Sequence, residues 1–193
     1  MIPRRALLAS PFLALPALAQ VWPTRPVRVV VPFPPGGPAD VLARLLAEPL
    51  AASWAQPVVI DNRPGAGGNL GAELVARAAP DGHTLLLPAS SHVQGAALYR
   101  NLPFHPVRDF TAVTMLAYYA LVLVVNPAVP AADMPAFQAL ARSAPGRVTL
   151  ASAGVGTPTH LSAELYRQRA DIEFTHVPYQ GAPRRTPRCW VAK

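Results

Sequence analysis

Loops rich in glycine and small residues are the part of this sequence best suited to bind a ligand. Each follows an apolar run and precedes a helical pattern; they read "PFPPGGPAD" from Pro32, "RPGAGGN" from Arg63, "ASSH" from Ala89 and "SAGVGTPTH" from Ser152. Glycine lets a ligand approach the backbone closely. The start of a helix presents free N–H groups and a partial positive charge, which favour anions. The pattern therefore predicts a carboxylate site built from backbone amides and hydroxyls rather than from arginine.

Other chemistries are less well supported by the same loops. The glycines of Pro64 to Gly71 lack the dinucleotide-binding spacing, and no lysine follows them as in a phosphate-binding loop. That stretch could equally be a tight turn with close helix packing. Ser90, Ser91 and His92 include a nucleophile and a base, but adjacent residues rarely point together and no nucleophile-elbow motif is present. His160 has no partner at metal-ligand spacing. We expect no enzyme activity, no metal site and no cofactor.

Short β-rich runs alternate with helical runs, which predicts βαβ units and a parallel sheet. The predicted strands are "VRVVVP", "QPVVID", "HTLLLPAS", "RVTLAS" and "FTHVPYQG", and the run Thr111 to Asn126 is predicted to form one or two more. No internal repeat at solenoid spacing is present.

The helix after the first loop has a predicted apolar face and a predicted stop. Asp40 lies in its first turn, where a carboxylate suits the free N–H groups. Pro49 is expected to kink or end it. Its core-facing residues are predicted to be Val41, Leu42, Leu45, Leu46 and Leu50.

Residues 1–19 match a secretory signal peptide. Arg4 and Arg5 precede a short apolar stretch, and Ala17-Leu18-Ala19 is a small-x-small cleavage pattern before Gln20. The net charge of +7 is concentrated in this leader and in a tail that contains Arg184, Arg185, Arg188 and Lys193. Because the remaining arginines are scattered, we expect no nucleic-acid binding. We expect export and a soluble mature protein.

Several of these motifs, in this order, resemble the extracytoplasmic solute receptors of tripartite tricarboxylate transporters, the Bug receptors. The resemblance runs from about Trp22 to Gly181 through "WPTRPVRVVVPFPPGGPADVLARLLAEPL", "VVIDNRPGAGGNLGAELVARAAPDGHTLLL", "LPFHPVRDFTAVTMLAYYALVLVVNP" and "ASAGVGTPTHLSAELYRQRADIEFTHVPYQG". It implies a type II periplasmic-binding-protein fold, in which two α/β domains close on a small carboxylate. It also implies a periplasmic monomer that delivers its ligand to the permease subunits of such a transporter.

The resemblance carries over a domain division and a set of ligand-binding positions. The first α/β domain is expected over residues 20–125 and the start of the second over residues 126–181. By position, the pocket loops of the family fall on Phe33, Gly36, Gly37, Asp40, Gly67, Gly68, Ser90, Ser91, Gly154, Gly156, Thr157 and His160.

Residues 182–193 depart from the family pattern. Family members continue past "HVPYQG" with a helix that usually carries Leu-Leu-Gly-Gly, whereas this chain reads "APRRTPRCWVAK". A shifted reading of codons for Pro187 to Lys193 can encode Ala-Leu-Leu-Gly-Gly-Glu, so we interpret the tail as frameshifted near Gly181 to Thr186. On this interpretation the second domain is truncated, and we expect ligand binding to be weak or absent.

Two alternatives to a transport receptor remain at this stage. An exported enzyme could share the same α/β fold class, although it would need a nucleophile and base that converge. A ligand sensor could instead contact a membrane signalling protein.

Overall fold

Two parallel sheets organise residues 22–181, the part of the chain that the computed structural model describes. The first sheet has the order β2–β1–β3 and the second pairs β4 with β5. The strands are β1 (Val27–Val31), β2 (Val58–Asn62), β3 (Thr84–Leu86), β4 (Thr149–Ser152) and β5 (Thr175–Pro178). The five short β-rich runs are confirmed as strands, whereas the signal peptide and the tail predicted from sequence lie outside the described residues.

β1 is the central strand of the first sheet because β-branched residues fill it on both faces. Val27, Val30 and Val31 are fully buried. Val29 lies opposite Ile60 of β2 and Leu85 of β3, and both ladders are parallel. Such a continuous apolar run is typical of a parallel strand covered on both sides. The parallel ladders bring the carboxyl ends of all three strands to one edge.

Five helices follow the strands and loops. They are α1 (Pro38–Trp54), α2 (Asn69–Ala76), α3 (Ser91–Leu98), α4 (Met134–Ser143) and α5 (Pro158–Ala170), and a 3₁₀ turn (Ala66–Gly68) precedes α2. The loops before α1, α2, α3 and α5 are the four predicted from the sequence. Among residues 22–181, no helix has both the length and the apolar character needed to span a bilayer.

α1 differs from its prediction in two respects. Pro49 lies inside the helix and does not end it, since the chain beyond it still packs: the Trp54 ring meets the Trp22 ring edge-on at 5.1 Å. Val41 and Leu45 are exposed rather than core-facing. The buried positions are Asp40 and Ala43, because the inward Asp40 carboxylate fixes the rotation of the helix.

The second half has its own apolar core between α4, α5 and the β4–β5 sheet. Phe137 and Ala141 of α4 pack with Ala170 and Ile172 at the end of α5. The Asp133 carboxylate begins α4 by accepting a hydrogen bond from the Ala136 amide at 2.8 Å, which satisfies one of the free amides of the first turn. A second cluster joins Leu150, Ala163 and Phe174.

The prediction of strands in Thr111 to Asn126 is wrong. The segment has no helix or strand, and residues 111–124 are exposed throughout, including Met115, Tyr118 and Val122. A strand forms only where a neighbouring strand takes its backbone hydrogen bonds, and residues 22–181 supply no such neighbour here. We refer to residues 111–125 as the apolar segment.

The apolar segment should drive self-association, because exposed apolar patches of this size are prone to aggregate. Replacing Val113 and Val122 with lysine will therefore reduce association, as measured by sedimentation velocity. The melting temperature should not fall, since both side chains are already 80% and 79% exposed.

The matched control is Val59→Lys, a half-exposed valine on β2 outside the segment, which should leave association unchanged. Equal association of the double variant and the parent chain would contradict the prediction.

Candidate functional site

The first loop, Pro32 to Asp40, is held by a buried carboxylate. Asp40 is 2% exposed, and its Oδ2 atom accepts hydrogen bonds from the Gly36 amide at 2.8 Å and from Arg44 Nε at 3.0 Å. Asn62, at the end of β2, donates to Asp40 Oδ1 at 2.9 Å and to the Phe33 carbonyl at 3.1 Å. The network fastens the loop to both the helix and the sheet.

This arrangement changes the role expected of Asp40 and Gly36. The Arg44 guanidinium, with the Gly36 and Asn62 amides, lowers the pKa of the Asp40 carboxyl from 3.8 to about 2 against the opposing effect of burial. Asp40 therefore stays ionised at neutral pH. The Gly36 amide is not one of the free N–H groups predicted at this helix start, because Asp40 already accepts from it. Gly37 is buried at the N-cap of α1.

The second loop makes a tight turn that packs on the first. Gly67 has φ of +67° and Gly68 has φ of +106°, backbone conformations that favour glycine. A Cβ atom on Gly68 would lie 3.5 Å from Pro32 and 3.6 Å from Phe33, so the two loops are in contact. Gly71 meets Pro32 even more closely, at 2.8 Å from such an atom. The close approach of Gly71 to Pro32 is consistent with close helix packing, and the positive φ of Gly67 is consistent with a tight turn; both were interpretations of this stretch from sequence.

The third loop places its serines and histidine on different partners. Ser91 is buried and its hydroxyl donates to the Gly67 carbonyl at 3.1 Å, whereas Ser90 is exposed. His92 Nε2 donates to the Pro106 carbonyl at 2.9 Å, and its ring lies against two phenylalanines. Burial lowers the pKa of His92. Ser91 and His92 are thus bonded to different groups and do not form a nucleophile–base pair.

The fourth loop repeats the geometry of the first. The Gly156 amide donates to His160 Nδ1 at 3.3 Å, four residues on, as Gly36 donates to Asp40. The two stretches read Gly-Gly-Pro-Ala-Asp and Gly-Thr-Pro-Thr-His, and in each the proline is the first helical residue. In both loops, the side chain of the third helical residue accepts a hydrogen bond from the backbone amide of the residue before the N-cap. This arrangement is a variant of the capping box.

Further hydrogen bonds join side-chain hydroxyl groups to the backbone of the fourth loop. The Gly154 amide donates to Ser152 Oγ at 3.1 Å, and the Ala153 amide donates to Thr159 Oγ1 at 3.0 Å. Thr157 is buried and its hydroxyl donates to the Gly154 carbonyl at 2.6 Å. These contacts give the loop a defined shape without a ligand.

The second and fourth loops meet at Tyr99, which sequence analysis missed. A Cβ atom on Gly67 would lie 3.1 Å from the Val155 carbonyl oxygen and 3.5 Å from the Tyr99 hydroxyl. A Cβ atom on Gly156 would also lie 3.5 Å from the Tyr99 hydroxyl. The first loop also reaches the second half, since a Cβ atom on Gly181 would be 2.7 Å from Pro34.

The structure therefore brings most of the predicted positions to one edge of the sheets. Gly67, Gly156 and Tyr99 form the junction, Ser91 supports Gly67, and Phe33 and Gly68 join the first two loops. Of the residues that sequence analysis missed, Asn62 ends β2 and His176 of β5 lies with its ring centroid 4.3 Å from that of His160. Both are polar residues near strand ends, a recognisable signal. Tyr99 ends a short helix and belongs to no motif.

The site has little side-chain charge. Residues 22–181 contain no lysine, and Arg44 and Arg63, the arginines beside the first two loops, pair with Asp40 and Asp61. Among the described residues no cluster of three metal-binding side chains occurs. A cavity of about 310 Å³ lies elsewhere, lined by Ala141, Arg142, Pro145, Asp171, Ile172 and Glu173.

Comparison with known proteins links this geometry to one family. The model of the "Tripartite tricarboxylate transporter family receptor" matches residues 42–185. The protein BugT of Bordetella pertussis is 40% identical over 177 residues, which are 91% of this chain and 54% of BugT. The chain thus spans about half the length of the curated relatives that it matches.

Solved structures agree with this assignment. Rpa4515 of R. palustris was solved with adipate and has a TM-score of 0.77 at 34% identity. The match covers 87% of this chain and 56% of the Rpa4515 chain. MatC from Rhodopseudomonas palustris, solved with malate, has a TM-score of 0.75 at 38% identity, with coverage of 83% and 55%. The periplasmic binding protein BugD has a TM-score of 0.75 at 30% identity, with coverage of 87% and 56%.

The fold is accordingly that of these periplasmic binding proteins, α/β with parallel sheets, as the sequence analysis expected. The matching proteins are solute-binding receptors rather than enzymes.

The Asp40 network should be a main support of the first loop. Asp40→Ala will lower the free energy of unfolding by about 2–3 kcal/mol, because it removes hydrogen bonds to a charged group and leaves their donors unpaired. The contribution of Asp40 is present above about pH 4 and is lost as the pH falls towards 2, since the folded pKa is the lower one. Urea unfolding at several pH values measures both effects.

Glu73→Gln is the control, because Glu73 forms a surface i,i+4 ion pair with Arg77 that is worth about 0.3–0.5 kcal/mol. Similar losses for Asp40→Ala and Glu73→Gln would refute a supporting role of Asp40.

Proposed function

The chain belongs to the tripartite tricarboxylate transporter receptor family, and on that basis we propose that its loops bind a small dicarboxylate in the periplasm. The observation that carries the proposal is the convergence of Gly67, Gly156 and the Tyr99 hydroxyl at the helix-bearing edge of the sheets. In parallel α/β sheets, ligands bind at the carboxyl ends of the strands. Adipate and malate, the ligands of Rpa4515 and MatC, are both dicarboxylates.

The charge pattern supports an anion held by amides. No lysine is available within residues 22–181, and the arginines beside the first two loops are already paired. Helix starts, hydroxyl groups and His160 are then the groups of the predicted loops that can stabilise a carboxylate. We propose that Gly67, Ser90, Tyr99, Thr157 and His160 line the ligand. The remaining predicted positions shape the walls: Phe33, Gly36, Gly37, Asp40, Gly68, Ser91, Gly154 and Gly156.

We further propose that residues 20–125 and 126–181 are two domains with the ligand between them. The contacts of Gly67 with Val155 and of Pro34 with Gly181 cross this boundary, as closure on a ligand would require. The proposed partner is a membrane permease of the kind named by the family. Cross-linking of ligand-loaded protein to permease-containing vesicles tests this, and capture by a signalling ectodomain instead would support the sensor alternative.

Affinity in the 193-residue chain is proposed to be weak, in the millimolar range. Within the described residues the second sheet has only β4 and β5, and a two-stranded sheet is marginally stable. The fourth loop rests on that sheet, so part of the binding free energy is spent in ordering it.

A titration followed by two-dimensional NMR will detect this binding. Adipate and malate should give saturable shifts of the Gly67 and Gly156 amide signals, because a carboxylate placed there changes their hydrogen bonds. Adipamide, which has the length of adipate without its charge, is the matched ligand control. No saturable shift with either acid, or an equal response to adipamide, would refute dicarboxylate binding; micromolar affinity would refute only the proposed weakness.

Gly156→Ala will weaken dicarboxylate binding by about tenfold, which corresponds to about 1.4 kcal/mol. The new Cβ atom would lie 3.5 Å from both Leu98 and the Tyr99 hydroxyl, where it narrows the junction. Gly146→Ala is a close control, because Gly146 has a similar φ of +73° but open space around it. Both variants carry a left-handed strain of about 1–2 kcal/mol, so equal affinity losses would assign the effect to stability instead.

Tyr99→Phe will lower the affinity for adipate while leaving the free energy of unfolding within about 0.5 kcal/mol of the parent value, the usual range for a change that removes no buried contact. The phenol hydroxyl is the only group removed, and it lies at the junction of the two loops. Tyr118→Phe is the control, since Tyr118 is 90% exposed on the apolar segment. Unchanged affinity of Tyr99→Phe would remove Tyr99 from the ligand-lining set.

A further inference from the structure

The Gly156 amide is occupied by a group that can change its protonation. His160 Nδ1 accepts from this amide at 3.3 Å, and a ring nitrogen can accept a hydrogen bond only while it carries no proton. The equivalent acceptor of the first loop is Asp40, whose pKa of about 2 keeps it an acceptor at any physiological pH. The first and fourth loops thus share one hydrogen-bond geometry. They differ in that protonation can remove the acceptor of the fourth loop but not that of the first at physiological pH.

His160 is paired with a second histidine. The His160 and His176 rings are stacked with centroids 4.3 Å apart and planes tilted by 30°. His176 Nε2 lies 2.7 Å from Ser152 Oγ, and the same fully buried serine accepts from the Gly154 amide. The amides of Gly154 and Gly156 are therefore tied, directly or through Ser152, to the two rings of this pair.

The surroundings favour the neutral form of His176. Burial, and then the charge of a neighbouring His160, lower the pKa of His176, while Glu164 acts in the opposite direction. Glu164 and its ion-pair partner Arg167 lie on α5 with His160. Ser152 faces the pair from β4 and the Tyr99 hydroxyl lies over Gly156 from the end of α3.

We propose that carboxylate binding at the Gly156 loop is coupled to the uptake of one proton by the His160–His176 pair. A proton from solvent binds His160 Nδ1, which then becomes a donor and releases the Gly156 N–H. That N–H donates to an oxygen of the incoming carboxylate, and the imidazolium charge stabilises the same anion. Only one proton is taken up, since two cations stacked at this distance repel one another. No covalent bond forms or breaks.

The coupling rests on the proposed dicarboxylate function and predicts its pH dependence. Between about pH 8 and about pH 6.5, where histidine titrates and carboxylates remain ionised, affinity should rise as the pH falls. The limit for one proton is a tenfold gain per pH unit, as linkage requires. The opposite trend, weaker binding in acid over this range, would overturn the proposal.

NMR titration of the whole chain with adipate at several pH values tests the inference. His160→Gln is the informative variant, because its amide oxygen can accept from the Gly156 N–H but cannot take up a proton; its affinity should rise less steeply than that of the parent chain as the pH falls, since only His176 remains to be protonated. His105→Gln, at an exposed histidine outside the pair, should retain the pH dependence. A pH-independent affinity in the parent chain would overturn the coupling and leave the proposed function intact, whereas no adipate binding at any pH would overturn both.

A ligand-free measurement keeps the inference testable if a variant fails to fold. The Cε1 proton of His176 should report a protonation displaced to lower pH than the ordinary histidine value, because burial and the charge of His160 lower its pKa. In the His160→Gln variant, the remaining His176 should titrate at a higher pH than in the parent chain. Titration of His176 at the ordinary histidine value, unchanged by His160→Gln, would overturn the inference.

Discussion

Each backbone amide at the carboxyl edge of the sheets needs an acceptor, and this requirement shapes the site. Buried amides left without partners would cost more than the loops gain from packing. The chain supplies acceptors from the first turn of the following helix: Asp40 for Gly36, Thr159 for Ala153 and His160 for Gly156. These hydrogen bonds lower the entropy cost of ordering the loops themselves, whereas the cost of ordering the two-stranded sheet beneath the fourth loop remains.

The sequence predicted the elements well because their signals are local. β-branched runs such as Val27 to Val31 and a proline at the start of α1 and α5 depend little on distant contacts. The apolar segment shows the limit of such reasoning: its composition favours a strand, but a strand needs a partner, and residues 22–181 provide none beside it. Composition alone carries no information about that partner.

The glycine loops were predicted in position but not in their hydrogen bonds. Glycine loops before helices are visible in the sequence, so the loops that meet at Gly67 and Gly156 were expected. Asp40 was expected to face a ligand, yet its carboxylate turns inward because Arg44, Asn62 and Gly36 all donate to it. Tyr99 joins the site through the packing of α3, and no local pattern reports such a contact.

The strength of each internal acceptor decides which loop can yield to a ligand. In the first loop, an ionised carboxylate accepts at 2.8 Å and also pairs with Arg44; a second carboxylate would have to displace it against charge repulsion. In the fourth loop, a neutral imidazole accepts at 3.3 Å, a longer bond without a charge to strengthen it. Under the proposed function, the first loop is therefore a wall of the site, and the anion takes its amide contacts from the fourth.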